Sequence, residues 1–107
     1  MEILEAIRSR FPEAKILLTL GTEGAVYADS TRVLRQPIFP VEAVDTTGAG
    51  DTFTGYFLAG LAGGLPMEQI LRISAMASAI AVSRPGAVPS IPARSEVLER
   101  LKYLENV

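Results

Sequence analysis

The chain has 107 residues, room for one domain at most, and its ten basic and twelve acidic side chains leave a net charge of −2, which excludes a polycationic face for nucleic acid. It has no histidine and no cysteine, which excludes thiol chemistry, disulfides, imidazole bases and the usual zinc ligand sets, so a general base must be a carboxylate, a lysine or a tyrosine. Hydrophobic residues make up 49% and the mean hydropathy is +0.30, yet the apolar runs 56–65 and 75–82 fall well short of the roughly 20 residues a spanning helix needs.

Ile3, Leu4, Ile7 and Phe11 recur at helical spacing, so residues 2–10 read as an amphipathic helix that stops before Pro12. Ile16-Leu17-Leu18-Thr19-Leu20 is a short, continuously apolar run, the pattern of a strand buried on both faces of a parallel sheet. Thr22-Glu23-Gly24 makes a turn into a second strand, Ala25–Ala28, giving a hairpin added to an α/β sheet. Thr31–Arg35 reads as an exposed strand and Val41–Val44 as another short one. Helices follow from Gly50 to about Leu61, from Pro66 to Val82 and from Ser95 to Glu105. In the first of these, Gly55 and Gly60 are expected to mark close approach of the helix backbone to a neighbour. Ile70, Ile73, Ala77, Ile80 and Ala81 give the second a broad apolar surface, and Arg84-Pro85-Gly86 ends it. Val97, Leu98, Leu101 and Leu104 form one stripe on the last. This order is α/β: a mostly parallel sheet with a hairpin, flanked by helices. With no basic-then-apolar leader at the start, a cytoplasmic protein without a membrane partner is expected.

Three segments carry chemistry. In Asp45-Thr46-Thr47-Gly48-Ala49-Gly50-Asp51, small residues bare the backbone amides of a loop that opens onto a helix N-terminus, where an anion can bind. Asp51 stands at its mouth. It reads either as a helix-terminal residue or as the group that takes a proton from an attacking hydroxyl. Thr19-Leu20-Gly21-Thr22-Glu23-Gly24 follows a strand directly, which suits a nucleotide lying on the backbone and equally suits a plain strand–turn–strand hairpin. Ala81–Ser90 leaves backbone carbonyls free after a helix. With Asp45 they form an oxygen set for a hard cation, or simply an ordinary Pro-Gly helix stop.

Taken together, Thr19–Gly24, Asp45–Gly55 and Ala77–Pro92 resemble, in order and separation, the C-terminal portion of the ribokinase family of ATP-dependent sugar kinases. The resemblance covers nearly the whole chain, and the third segment points within the family toward its ribose-phosphorylating members. It implies that residues 1–107 are the ATP-binding and catalytic portion of a ribokinase-like domain, with the sugar-binding and lid region upstream. The implied reaction converts D-ribose to ribose 5-phosphate. Other members acting on fructose, a keto-deoxy sugar acid or a nucleoside, and a non-catalytic nucleotide-binding fragment, are the alternatives.

By this resemblance Asp51 is the catalytic base that also touches the sugar, and the amides of Gly48, Ala49, Gly50 and Asp51 form the anion hole. Thr19, Leu20, Gly21, Thr22, Glu23, Gly24, Gly50 and Asp51 line the ATP site. Ala75 falls near the adenine, where relatives often carry Asn or His. The implied cofactors are ATP, magnesium and a monovalent cation, typically potassium, held by Asp45, Thr47, Ala81, Arg84, Gly86 and Ser90. The family's Asn-x-x-Glu motif for magnesium and phosphate is absent from the chain, whose only asparagine is Asn106. The implied partners are ATP and a small sugar, together with a second copy or a complementing N-terminal portion.

Overall fold

The structure, a computed structural model, describes residues 2–85 and 92–105. It divides into two units, Met1–Pro37 and Ile38–Val107.

In the first unit, helix α1 (Glu2–Arg10) precedes strands β1 (Ile16–Thr19), β2 (Ala25–Ala28) and β3 (Val33–Gln36), and a 3-10 turn, Gly21–Glu23, joins β1 to β2. The sheet runs in the order β1-β2-β3 and both pairings are antiparallel, with Ile16 opposite Ala28 and Ala28 opposite Val33. The mostly parallel sheet expected from the sequence is therefore corrected: every strand pair among the described residues is antiparallel. The connections decide it, because a parallel pair needs a crossover of a dozen or more residues and these loops are far shorter. Leu4, Ile16, Val26 and Ala28 form the buried cluster, with Ile7, Ala14, Leu18 and Leu20 packed against it. Of the expected helical stripe, Leu4 is buried, whereas Ile3 and Phe11 are exposed.

The β2–β3 turn is organised by one carboxylate. Oδ1 of Asp29 accepts hydrogen bonds from the amides of Thr31 and Arg32 and from the Thr31 hydroxyl, and Oδ2 accepts one from the Tyr27 hydroxyl. The Arg8 guanidinium donates to the Asp29 carbonyl at 3.1 Å and so ties α1 to the turn.

The second unit is helical: α2 (Ala49–Ala62), α3 (Met67–Val82) and α4 (Arg94–Glu105). Residues 41–44, read from the sequence as a strand, form none. Val44 instead gives its amide to the Val82 carbonyl at the end of α3. Helix α3 lies centrally, with Ile70, Leu71, Ile73, Met76, Ile80 and its small residues except the half-buried Ser78 buried. Each large aliphatic side chain removed from water there contributes about 1.5–3 kcal/mol. The core joins Ile73, Met76, Ala77, Ala79 and Ile80 of α3 to Val97 and Leu101 of α4, with Phe39, Tyr56 and Leu65 packed on it. Leu98 and Leu104, expected on the buried stripe of α4, are exposed.

The α2–α3 connection closes through bonds from Gly63, Gly64 and Leu65 amides to the carbonyls of Ala59, Leu61 and Gly60. Pro66 caps α3 rather than lying in its first turn, with an extended ψ of 142°. The Arg84 guanidinium pairs with the Glu96 carboxylate, and the Tyr56 hydroxyl donates to the Pro92 carbonyl at 2.6 Å, so both sides of the α3–α4 connection are anchored. No helix among the described residues is long and apolar enough to cross a membrane.

Candidate active site

The loop before α2 is held from within and from α3. Oδ1 of Asp45 accepts the Thr47 amide at 2.8 Å, folding the chain back on itself. The amides of Val44 and Asp45 both donate to the Val82 carbonyl, at 2.7 and 3.1 Å. Gly48 then turns the chain into the helix at φ 82°, a left-handed conformation that costs a residue with a Cβ about 1–2 kcal/mol.

The consequence is a specific set of donors. The Ala49 amide is used by the Thr46 carbonyl at 3.2 Å and the Thr52 amide by the Gly48 carbonyl at 2.9 Å. The amides of Gly48, Gly50 and Asp51 have no acceptor among the described residues. Of the four amides expected to receive an anion, three are thus open and one, Ala49, is engaged locally. A Cβ placed on Gly50 would meet nothing within 4 Å, so the loop faces open space. Asp51, in the first turn of α2, is exposed, and no packed interior receives its carboxylate. The positive end of the helix dipole and an exposed carboxylate therefore lie together at the start of α2. Ser78 of α3 reaches the same place, its hydroxyl donating to the Ala49 carbonyl at 3.3 Å.

The expected cation ligands are only partly described. Asp45 lies against Val82, and so the Asp45–Thr47 turn and the end of α3 meet. The carbonyl of Ala81 accepts the Arg84 amide at 3.2 Å. The side chain of Arg84 is turned to Glu96, leaving only its carbonyl for such a role. Gly86 and Ser90 lie outside the described residues. A carboxylate with several carbonyls is the donor chemistry a hard monovalent cation takes, and the Asp45 and Ala81–Arg84 groups fit it. Ala75 is buried and brings only a methyl group.

The segment Thr19–Gly24 belongs to the other unit. Thr19, Gly21, Thr22 and Glu23 are exposed and Leu20 and Gly24 half-buried, so most of the turn is open to solvent. Gly24 is set by the hairpin itself: at φ 86° a Cβ there would stand 2.2 Å from the Gln36 carbonyl oxygen. Sequence reasoning missed Ser78, Val82 and Thr52. A hydroxyl within the alanine-rich run of α3 was the signal available for Ser78. The Val82 carbonyl and the buried Thr52 hydroxyl carry none.

The family described as pfkB family carbohydrate kinase matches residues 1–94. A ribokinase from Lactococcus lactis is 37% identical over 102 residues, covering 95% of this chain and 34% of the relative. A fructokinase from Solanum tuberosum is 39% identical over 101 residues, covering 85% of this chain and 31% of the relative. The structure of Arabidopsis thaliana ribokinase complexed with ribose and ATP superposes with a TM-score of 0.80 at 40% identity, over 82% of this chain and 29% of that one. The chain thus spans about a third of the length of the relatives it matches, and it has their ribokinase-like α/β fold over that span.

Proposed function

Because the chain belongs to the pfkB family of carbohydrate kinases, we propose that it carries the phosphoryl-transfer part of an ATP-dependent sugar kinase. One observation carries this reading: three amides at the start of α2 without acceptors among the described residues, beside the exposed Asp51 carboxylate. Those donors suit the charge that collects on the γ-phosphate oxygens during transfer. Asp51 accepts the proton of the sugar hydroxymethyl group. The sugar hydroxyl oxygen then bonds to the γ-phosphorus, the bond from that phosphorus to the β–γ bridging oxygen breaks, and ADP leaves with that electron pair. Ala75 is assigned to the nucleotide by the family resemblance, and Thr19–Gly24, within the first unit, is separately assigned to nucleotide binding.

Magnesium, when bound with ATP, neutralises phosphate charge. By the family resemblance potassium would be held by oxygens of Asp45, Thr47, Ala81, Arg84, Gly86 and Ser90, and would keep the Asp45–Gly48 turn in place. The order of the three motifs supports reading the chain as the C-terminal portion of a ribokinase-like domain, with sugar-binding and lid elements supplied upstream. A complementing N-terminal portion or a second copy is the partner this implies, and the cytoplasm its compartment.

Ribose is the favoured acceptor, supported by the ribokinase relatives and by the 77–92 segment. Fructose is the second reading, favoured by the similarity to the Solanum tuberosum fructokinase. The test is sugar-dependent ADP release by the full-length natural polypeptide carrying these residues. Ribose is expected to stimulate release more than fructose, and no stimulation by any sugar would overturn the proposal. Calorimetry that finds tight ATP binding without transfer would identify a nucleotide-binding module instead.

A further inference from the structure

Three serines lie along or just after α3, and two behave as helical serines usually do. The Ser74 hydroxyl donates to the Ile70 carbonyl one turn back, at 2.7 Å, and the Ser83 hydroxyl to the Ile80 carbonyl, also at 2.7 Å. Ser78 departs from that habit. Its hydroxyl leaves its own helix and donates to the Ala49 carbonyl at the first residue of α2, 29 positions away in the chain.

The Ala49 carbonyl and the Gly50 amide are two ends of one planar trans peptide, so they point in opposite directions. Fixing the carbonyl fixes the N–H. Drawing electron density toward the carbonyl also strengthens that N–H as a donor. Gly50 is one of the open donors, and its peptide lies in the first turn of α2, where the Ser78 bond adds a hold from a second helix. Four residues further along α3, the Val82 carbonyl holds the amides of Val44 and Asp45. Positions 78 and 82 are neighbours on one helix face. One turn of α3 therefore grips the 44–49 segment at both ends.

We propose that Ser78 is a positioning residue for phosphate transfer, acting through the Ala49 carbonyl to aim the Gly50 amide at the terminal phosphate. This rests on reading the start of α2 as the phosphate site. The transferring phosphoryl group is the partner that gains most from a fixed donor, because charge on its oxygens grows only during reaction. Removing the hydroxyl should therefore lower kcat more than it raises any KM. Fold stability should hold, since alanine is the better helix former.

The experiment compares Ser78→Ala and Ser78→Thr with the natural sequence in the full-length polypeptide, using kinetics with ATP and ribose. It also follows the Gly50 amide resonance during titration with a non-hydrolysable ATP analogue. Ser78→Ala is expected to reduce kcat about five- to tenfold with both KM values within about twofold. The Gly50 shift on analogue binding should shrink, and Ser78→Thr should restore most of the turnover and the shift. A natural Gly50 response accompanied by an unchanged Ser78→Ala variant would overturn the role of Ser78 alone. No response of Gly50 in the natural sequence would overturn the phosphate site and the proposal with it.

Discussion

Gly60 of α2 lies so close to Ile70 of α3 that a Cβ on it would stand 2.8 Å from Ile70 Cγ1 and 2.9 Å from Cγ2. Ile70 is 1% exposed and β-branched, so its stem has nowhere to turn. Gly60→Ala should destabilise the chain by about 1–3 kcal/mol through overpacking. Gly55, on the same helix, meets nothing within 4 Å. Gly55→Ala should stabilise by up to about 1 kcal/mol through helix propensity alone. Urea unfolding of the two variants checks this, and equal shifts in the same direction would contradict it.

Asp29 should contribute to the acid limb of stability. The Thr31 amide above all, then the Tyr27 and Thr31 hydroxyls, hold its carboxyl well below the ordinary aspartate range. A carboxyl whose folded value is depressed adds stability in full above its unfolded value, near pH 4, and loses that contribution as pH falls further. Asp29→Asn should therefore lower the urea midpoint at pH 7 and flatten its decline below about pH 4. A variant with the same steep decline as the natural chain would remove Asp29 from this account.

Thr52 offers a test of the opposite sign. Its hydroxyl is buried and has no hydrogen-bond partner among the described residues, while its amide is satisfied by Gly48. An orphaned buried polar group costs about 1–3 kcal/mol. Thr52→Val keeps the shape and should leave stability unchanged or raise it by about 1–2 kcal/mol. A loss of that size in thermal unfolding would show that the hydroxyl has a partner.

The helices were legible because their signals are local and repeat. Leu4 and Ile7 mark α1, the spacing of Ile70, Ile73, Ala77 and Ile80 marks α3, and Val97 with Leu101 marks the inner side of α4. Sheet direction was not legible. An apolar run such as Ile16–Leu18 looks the same in a parallel and an antiparallel pair, and only the short loops around Gly21–Gly24 and Asp29–Arg32 separate the two. Val41 and Val44 have strand-forming side chains, but the Val44 amide found its acceptor at Val82, far along the chain. Gly55 and Gly60 are identical letters with different neighbours, so close approach was correct at Gly60 and not at Gly55.

The same limit applies at the site. Residue types pointed to the amides at 48–51 as candidate anion donors and to the carboxylate at 51, because small residues and a helix start are written in sequence. Which amides stay open depends on Thr46 taking the Ala49 donor, and the Ser78 and Val82 grip depends on helix packing. Neither has a local pattern.

In the proposed reaction Asp51 takes the proton of the sugar hydroxyl beside open backbone donors. The most direct measurement is the turnover of Asp51→Asn in the full-length polypeptide, with ATP affinity measured in parallel by calorimetry. The account predicts a loss of turnover of about 100-fold or more, with nucleotide affinity held within a few-fold. Turnover near that of the natural sequence would contradict it.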